Sequence, residues 1–130
     1  MKYLLIFFFS MITVVEAEII LRKQNDRYCY DGDTCYVIID GKNTKIRLLE
    51  LDTPEISKPK CDAEKKLGIK ARDYLNGLID NASTIEFKTD YIVDYFGRVL
   101  SFLIIDGEDV SALVVKKGLG VVYKLSLIHI

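Results

Sequence analysis

Short alternating or apolar runs recur along this chain, and a single long stretch switches to helical spacing. Residues 18–21, 35–39, 44–51, 83–88 and 99–105 have the length and β-branched content of strands. Between residues 62 and 79, Ala63, Leu67, Ala71, Tyr74, Leu75 and Leu78 recur every three or four positions with Lys and Asp between them, predicting an amphipathic helix. A shorter helix is expected over 110–117, stopped by Gly118, with a last strand over 120–123. Asp31-Gly32-Asp33, Asp40-Gly41 and Asp106-Gly107 are turn chemistry, and Pro54 and Pro59 make 53–60 a loop. Three strands, a helix, two strands and a short helix are the order of a five-stranded OB-fold barrel with one end plugged by a helix, an α+β class.

Residues 1–17 do not belong to that pattern. Lys2 precedes a nearly unbroken apolar run from Tyr3 to Val15, and Val15-Glu16-Ala17 has the small-residue layout of a cleavage site after Ala17. This is the plan of a secretory signal peptide, and the run is short for a bilayer. The expectation is a secreted or periplasmic domain over 18–124, with no membrane attachment after cleavage. Residues 125–130, apolar and uncapped, read as a non-native tail on a truncated chain.

Composition narrows the chemistry. The 130 residues carry 18 Lys+Arg against 19 Asp+Glu, for a net charge of −1, so no global positive field draws the chain to a polyanion. One histidine, His129 in the tail, and three cysteines without C-x-x-C spacing exclude a His-Cys zinc site and a Ser-His-Asp hydrolase; a P-loop is also missing. Export makes Cys29, Cys35 and Cys61 candidates for oxidation. Cys35–Cys61 is the preferred pair, because both flank the loops that carry the polar clusters, with three reduced thiols as the alternative.

What remains for hydrolysis is carboxylate, arginine and a metal ion. Asp31-Gly32-Asp33-Thr34 sets two carboxylates on a tight turn. The segment Arg47-Leu-Leu-Glu-Leu-Asp-Thr-Pro-Glu55 sets an arginine within a strand and Asp52, Thr53 and Glu55 where that strand breaks. Tyr95-Phe96-Gly97-Arg98 puts a second arginine at the head of another strand. Asp33 and Asp52 suit a hard oxygen-seeking cation such as Ca²⁺. Two arginines suit a phosphate that gains charge, and Glu55 suits the orientation or deprotonation of water. Arg47 also has a plainer role available, an ion pair with Glu50 or Asp52.

These motifs, with Ala112-Leu-Val-Val-Lys-Lys-Gly-Leu119, resemble the staphylococcal nuclease (thermonuclease) family over about residues 18–123. The resemblance implies a Ca²⁺-dependent nuclease acting on DNA and RNA and leaving 3′-phosphate ends. It implies Asp33, Asp52 and the Thr53 carbonyl as metal ligands, and Arg47, Glu55 and Arg98 as catalytic residues. Tyr95 and Tyr123 are implied substrate contacts. Phe96 departs from the pattern, since it lacks the hydroxyl of the family's tyrosine, and the family's final helix is missing. Lys58 and Lys60 open a locally basic stretch, 56–72, that starts just after Glu55 and can line the path of a single-stranded substrate; the plainer alternative is a solvated helix face. The competing function is a non-catalytic OB-fold module that binds nucleic acid. A monomer is expected.

Overall fold

The alternation of buried and open positions along the strands builds a barrel wall with one apolar face. A computed structural model describes residues 3–12 and 17–124. The strands are β1 (Ile19–Leu21), β2 (Thr34–Ile39), β3 (Lys42–Leu48), β4 (Ile85–Lys88), β5 (Val99–Ile105) and β6 (Glu108–Asp109). The helices are α1 (Asp62–Asp80), between β3 and β4, and α2 (Val110–Lys116), after β6. The sheet runs β1-β2-β3-β5-β4, with β6 paired to β5, and curls into the nearly closed barrel of an OB-fold. All pairings are antiparallel except β3 with β5, where Ile46, Arg47 and Leu48 lie beside Val99, Leu100 and Ser101.

Cys35, Val37, Ile46, Leu48, Leu103 and Ile105 turn into the barrel, where they meet Leu75 and Ile79 of α1 and Val110 and Val114 of α2. Deleting a side chain as fully enclosed as Leu48 or Leu103 removes about 2–5 kcal/mol. The intervening positions of β2 and β3 (Thr34, Tyr36, Lys45 and Arg47) take the outer face. The core thus fixes which face of the sheet is free for chemistry.

Three expectations change. The disulfide is Cys29–Cys35, not Cys35–Cys61. Cys29 and Cys35 oppose one another across a bridge that closes the loop carrying Asp31 and Asp33, and both are wholly enclosed by the core. Cys61 is a free, exposed thiol at the N-terminal cap of α1, away from that pair. The strand expected over 120–123 is reduced to a single bridge, in which Asp52 and Val121 exchange two backbone hydrogen bonds of 2.9 Å. β3 ends at Leu48 instead of running to residue 51, because Glu50 takes a left-handed conformation (φ 58°) that turns the chain toward Asp52.

No described helix is long and apolar enough to cross a membrane. Residues 3–12 of the apolar leader carry no regular structure, and Val15 and Glu16 of the proposed cleavage site lie outside the described residues, as does the tail 125–130.

Candidate active site

The polar clusters converge because each stands at the end of an element on the outer face of the β2–β3 wall. Asp33 immediately precedes β2, and Thr34 pairs directly with Arg47 on β3. Asp33 is buried and accepts hydrogen bonds at Oδ2 from the Thr53 amide (3.0 Å) and hydroxyl (3.1 Å), tying the first cluster to the second. That approach depends on Gly32. A Cβ there would lie 2.6 Å from Thr53 Cγ2 and 2.8 Å from Ala71 Cβ.

Arg47 lies at the centre. Its Nη1 donates to the carbonyls of Leu48 (2.9 Å) and Leu51 (2.7 Å), and its Nη2 stands 3.3 Å from Asp33 and 3.6 Å from Asp52. The plainer role for Arg47 is therefore present in part: Asp52 is a partner, and Glu50 is replaced by Asp33. Arg98 is held differently. Asp94 accepts from the backbone amides of Phe96 and Arg98 at Oδ1 and from Arg98 Nε at Oδ2 (2.8 Å), so one carboxylate both shapes the turn and aims the guanidinium. Gly97, at φ 78°, makes that turn possible.

Asp33, Arg47, Glu55 and Arg98 line one cleft of about 440 Å³, with Asp31, Lys45 and Phe96 in its walls. Glu55 is exposed and has no side-chain hydrogen bond or ion pair among the described residues. It also borders a second depression, of about 600 Å³, that contains Asp52, Thr53, Lys58 and Lys60. Of the implied substrate contacts, Tyr95 projects into solvent at 92% exposure and does not line the cleft, whereas its neighbour Phe96 does. Tyr123 is exposed and borders neither depression. The basic stretch thus reaches the site through Lys58 and Lys60, while the aromatic contribution comes from the residue that departs from the family pattern.

Asp31 and Asp94 are the residues that the sequence reading leaves without a role. The signal for Asp94 was its place three residues before Gly97, where an Asp side chain commonly folds back onto the turn amides. Asp31 is buried and accepts from the Asp33 amide at 3.1 Å. Burial, and then the adjacent Asp33 carboxylate, push it up to about 7. Burial and Asp33 also raise Asp52, against the pull of Arg47.

Asp33 and Asp52 share the Arg47 guanidinium, and burial beside Asp33 raises Asp52, a strain that a hard cation would relieve. Asp33, Asp52 and a backbone carbonyl at Thr53 are oxygen donors of the type Ca²⁺ takes, with water supplying the remainder of its six to eight ligands. Among the described residues, no three acidic, His or Cys side chains form a finished cage. The donor chemistry therefore fits an ion held by two carboxylates, a carbonyl and water.

The Asp31 shift has a measurable consequence. Its proton is held to about pH 7 in the folded chain but is lost near pH 4 in the unfolded one. The folded state binds the extra proton within that window, so stability contributed by this group falls as pH rises from about 4 to 7. With EGTA present, Asp31→Asn should flatten the decline of Tm across this interval; an identical decline in both proteins would clear Asp31 of the effect.

Comparison with known proteins places the chain in a family. Residues 45–128 match the family model described as staphylococcal nuclease homologue. Endonuclease YncB of Bacillus subtilis (strain 168) is 34% identical over 90 residues, covering 68% of this chain and 42% of that protein. The SPbeta prophage-derived endonuclease YokF of the same organism is 32% identical over 90 residues, covering 68% of this chain and 30% of the relative. Thermonuclease of Staphylococcus hyicus is 30% identical over 89 residues, covering 68% and 52%. The chain thus spans about a third to a half of these relatives' lengths. The matched segment contains Arg47, Asp52, Thr53, Glu55 and Arg98, and the chain belongs to the staphylococcal nuclease homologue family.

Proposed function

We propose that this protein is a Ca²⁺-dependent nuclease that hydrolyses phosphodiester bonds of DNA and RNA, prefers single strands, and leaves 3′-phosphate ends. The carrying observation is the convergence of Arg47, Glu55 and Arg98 with Asp33 in one cleft. A pure binding module would have no need for a carboxylate facing two arginines. The names of the relatives, two endonucleases and a thermonuclease, support the same reading.

Arg98 is the freer of the two arginines. Its Nε is occupied by Asp94, which leaves both terminal nitrogens to hydrogen-bond phosphate oxygens. Arg47 offers positive charge from below, already braced by two carbonyls. Glu55, open to solvent at the rim, orients a water or takes its proton as the phosphorus is attacked. Asp33, Asp52 and the Thr53 carbonyl would hold the Ca²⁺, whose chemistry when bound is to neutralise charge on the phosphate. The outer face of an OB barrel tracks backbone and unstacked bases, which favours single strands and little base selectivity. The apolar leader before Glu18 supports export to surroundings where Ca²⁺ is abundant, and the enzyme is proposed to act as a monomer.

The test is release of acid-soluble nucleotides from heat-denatured DNA and from RNA, with Ca²⁺ and then with excess EGTA. Release from both substrates that stops in EGTA is expected, and end-labelling should find 3′-phosphates. A folded protein that releases nothing in Ca²⁺ would overturn the reading.

A further inference from the structure

The cleft continues past the arginines along the barrel wall, and the wall there is basic. Lys45 stands two residues before Arg47 on the same face of β3, roughly 7 Å away along the strand. Tyr36 on β2 is its direct cross-strand partner. Arg22 follows β1 and donates its backbone amide to the Tyr36 carbonyl at 3.1 Å. Arg22, Tyr36 and Lys45 therefore form a row across three neighbouring chain segments. The Arg22 guanidinium carbon lies 5.0 Å from the centre of the Tyr36 ring, and Lys45 Nζ lies 6.0 Å from it.

Neither cation is neutralised. Among the described residues neither Arg22 nor Lys45 has a carboxylate within ion-pair distance. Among the described residues the only side-chain hydrogen bond from Arg22 goes to Gln24, and its Nε is enclosed without a partner there. A depression of about 230 Å³ joins these groups, bounded by Arg22, Asn43, Lys45, Phe96 and Arg98. Lys45, Phe96 and Arg98 also line the catalytic cleft, so the two hollows share walls. Two cations held on a ring without carboxylate partners, one nucleotide-like step beyond Arg47, have the chemistry of a phosphate contact. Phe96, at 77% exposure between the hollows, offers a face on which a base can stack.

We propose that Arg22 and Lys45 form a second phosphate subsite, which holds a phosphodiester next to the one being cleaved and extends the binding track along the β1–β2–β3 wall. This rests on the nuclease reading for its substrate. It differs in assigning affinity and length preference to residues outside the catalytic group.

The test compares the full chain with its Lys45→Gln, Arg22→Gln and doubly substituted forms. Binding of a fluorescein-labelled long oligothymidylate is followed by anisotropy across a salt series in EGTA, where no cleavage is needed. Each lost contact should reduce the slope of log K against log salt by about 0.7, and the double variant should bind about tenfold more weakly at low salt. In Ca²⁺, Arg22→Gln, whose residue borders only the outer hollow, should raise KM for the long strand while a dinucleotide substrate is unaffected. Lys116→Gln, which removes an exposed charge on α2, should leave the slope as it is. An unchanged slope in the double variant overturns the subsite, as does an equal change in the Lys116 control or an equal loss on the dinucleotide. If the slope falls in the variants as expected but the wild type cleaves nothing, the nuclease reading fails and the subsite stands as a nucleic-acid contact.

Discussion

Glu55→Gln and Arg98→Ala are each expected to lower the rate of nucleotide release from denatured DNA by about 10²–10³-fold or more, with the fold unchanged. Both side chains are at the mouth of the cleft and neither supports the core. Glu55 is exposed, and Arg98 makes its one side-chain ion pair with Asp94, on its own turn. Gln keeps the shape of Glu55 and its ability to accept a hydrogen bond but cannot take a proton or balance the arginines. Ala at 98 removes two terminal nitrogens from the phosphate while Asp94 continues to hold the turn through the amides of residues 96 and 98. Rates should be measured at saturating substrate, with circular dichroism and Tm to confirm folding. A variant that retains more than a tenth of the wild-type kcat would remove its residue from the chemistry.

Arg47 is a poorer probe, although it lies nearer the acids. It joins Leu48 and Leu51 carbonyls to Asp33 and Asp52, so its removal strands two carbonyls and leaves two carboxylates without their shared cation. Loss of activity in Arg47→Ala would mix lost phosphate contact with a collapsed site. The two arginines thus separate into one braced on four sides and one held at Nε alone, and in the proposed mechanism the second is the cleaner probe of phosphate contact.

Local periodicity carried most of the fold. Alternation in β2 and β3 and the three-to-four spacing of α1 are properties of contiguous residues, and they placed the elements within a few positions. The candidate site was legible for a related reason: its charged residues occupy strand ends and breaks, where a charge is anomalous if it has no task. What escaped depends on approach between distant segments. The parallel pairing of β3 with β5 and the seating of Gly32 against Thr53 leave no mark in either segment alone. Cys29 and Cys35 pair because the chain between them folds back into a bridge, whereas Cys61 flanks a site loop but stays exposed while Cys35 is enclosed in the core. Tyr95 and Phe96 are adjacent in a turn, so only the turn's geometry decides which ring meets the cleft.

Gly68→Ala should reduce kcat by about 10²-fold without raising Tm, although the residue is not in the cleft. Gly68 is in the middle of α1, where glycine costs about 1 kcal/mol relative to alanine, so helix propensity alone favours the substitution. The structure gives the opposing reason. An added methyl would lie 2.7 Å from the Pro54 carbonyl oxygen, 2.9 Å from Ile56 Cγ1 and 3.2 Å from the Glu55 carbonyl oxygen. Two of these are backbone atoms of the loop that carries Glu55, so the loop must move. Crowding of this kind costs about 1–3 kcal/mol, which cancels the helical gain of about 1 kcal/mol or exceeds it by up to about 2 kcal/mol. A shift of about 1 Å in a catalytic group is enough for a hundredfold loss. Gly77→Ala supplies the contrast on the same helix. Nothing lies within 4 Å of a Cβ there, so it should raise Tm by a few degrees and leave kcat alone. If the two substitutions behave alike in activity, the loop yields without displacing Glu55; if they diverge as expected, Gly68 is retained at the expense of helix stability to seat the catalytic carboxylate.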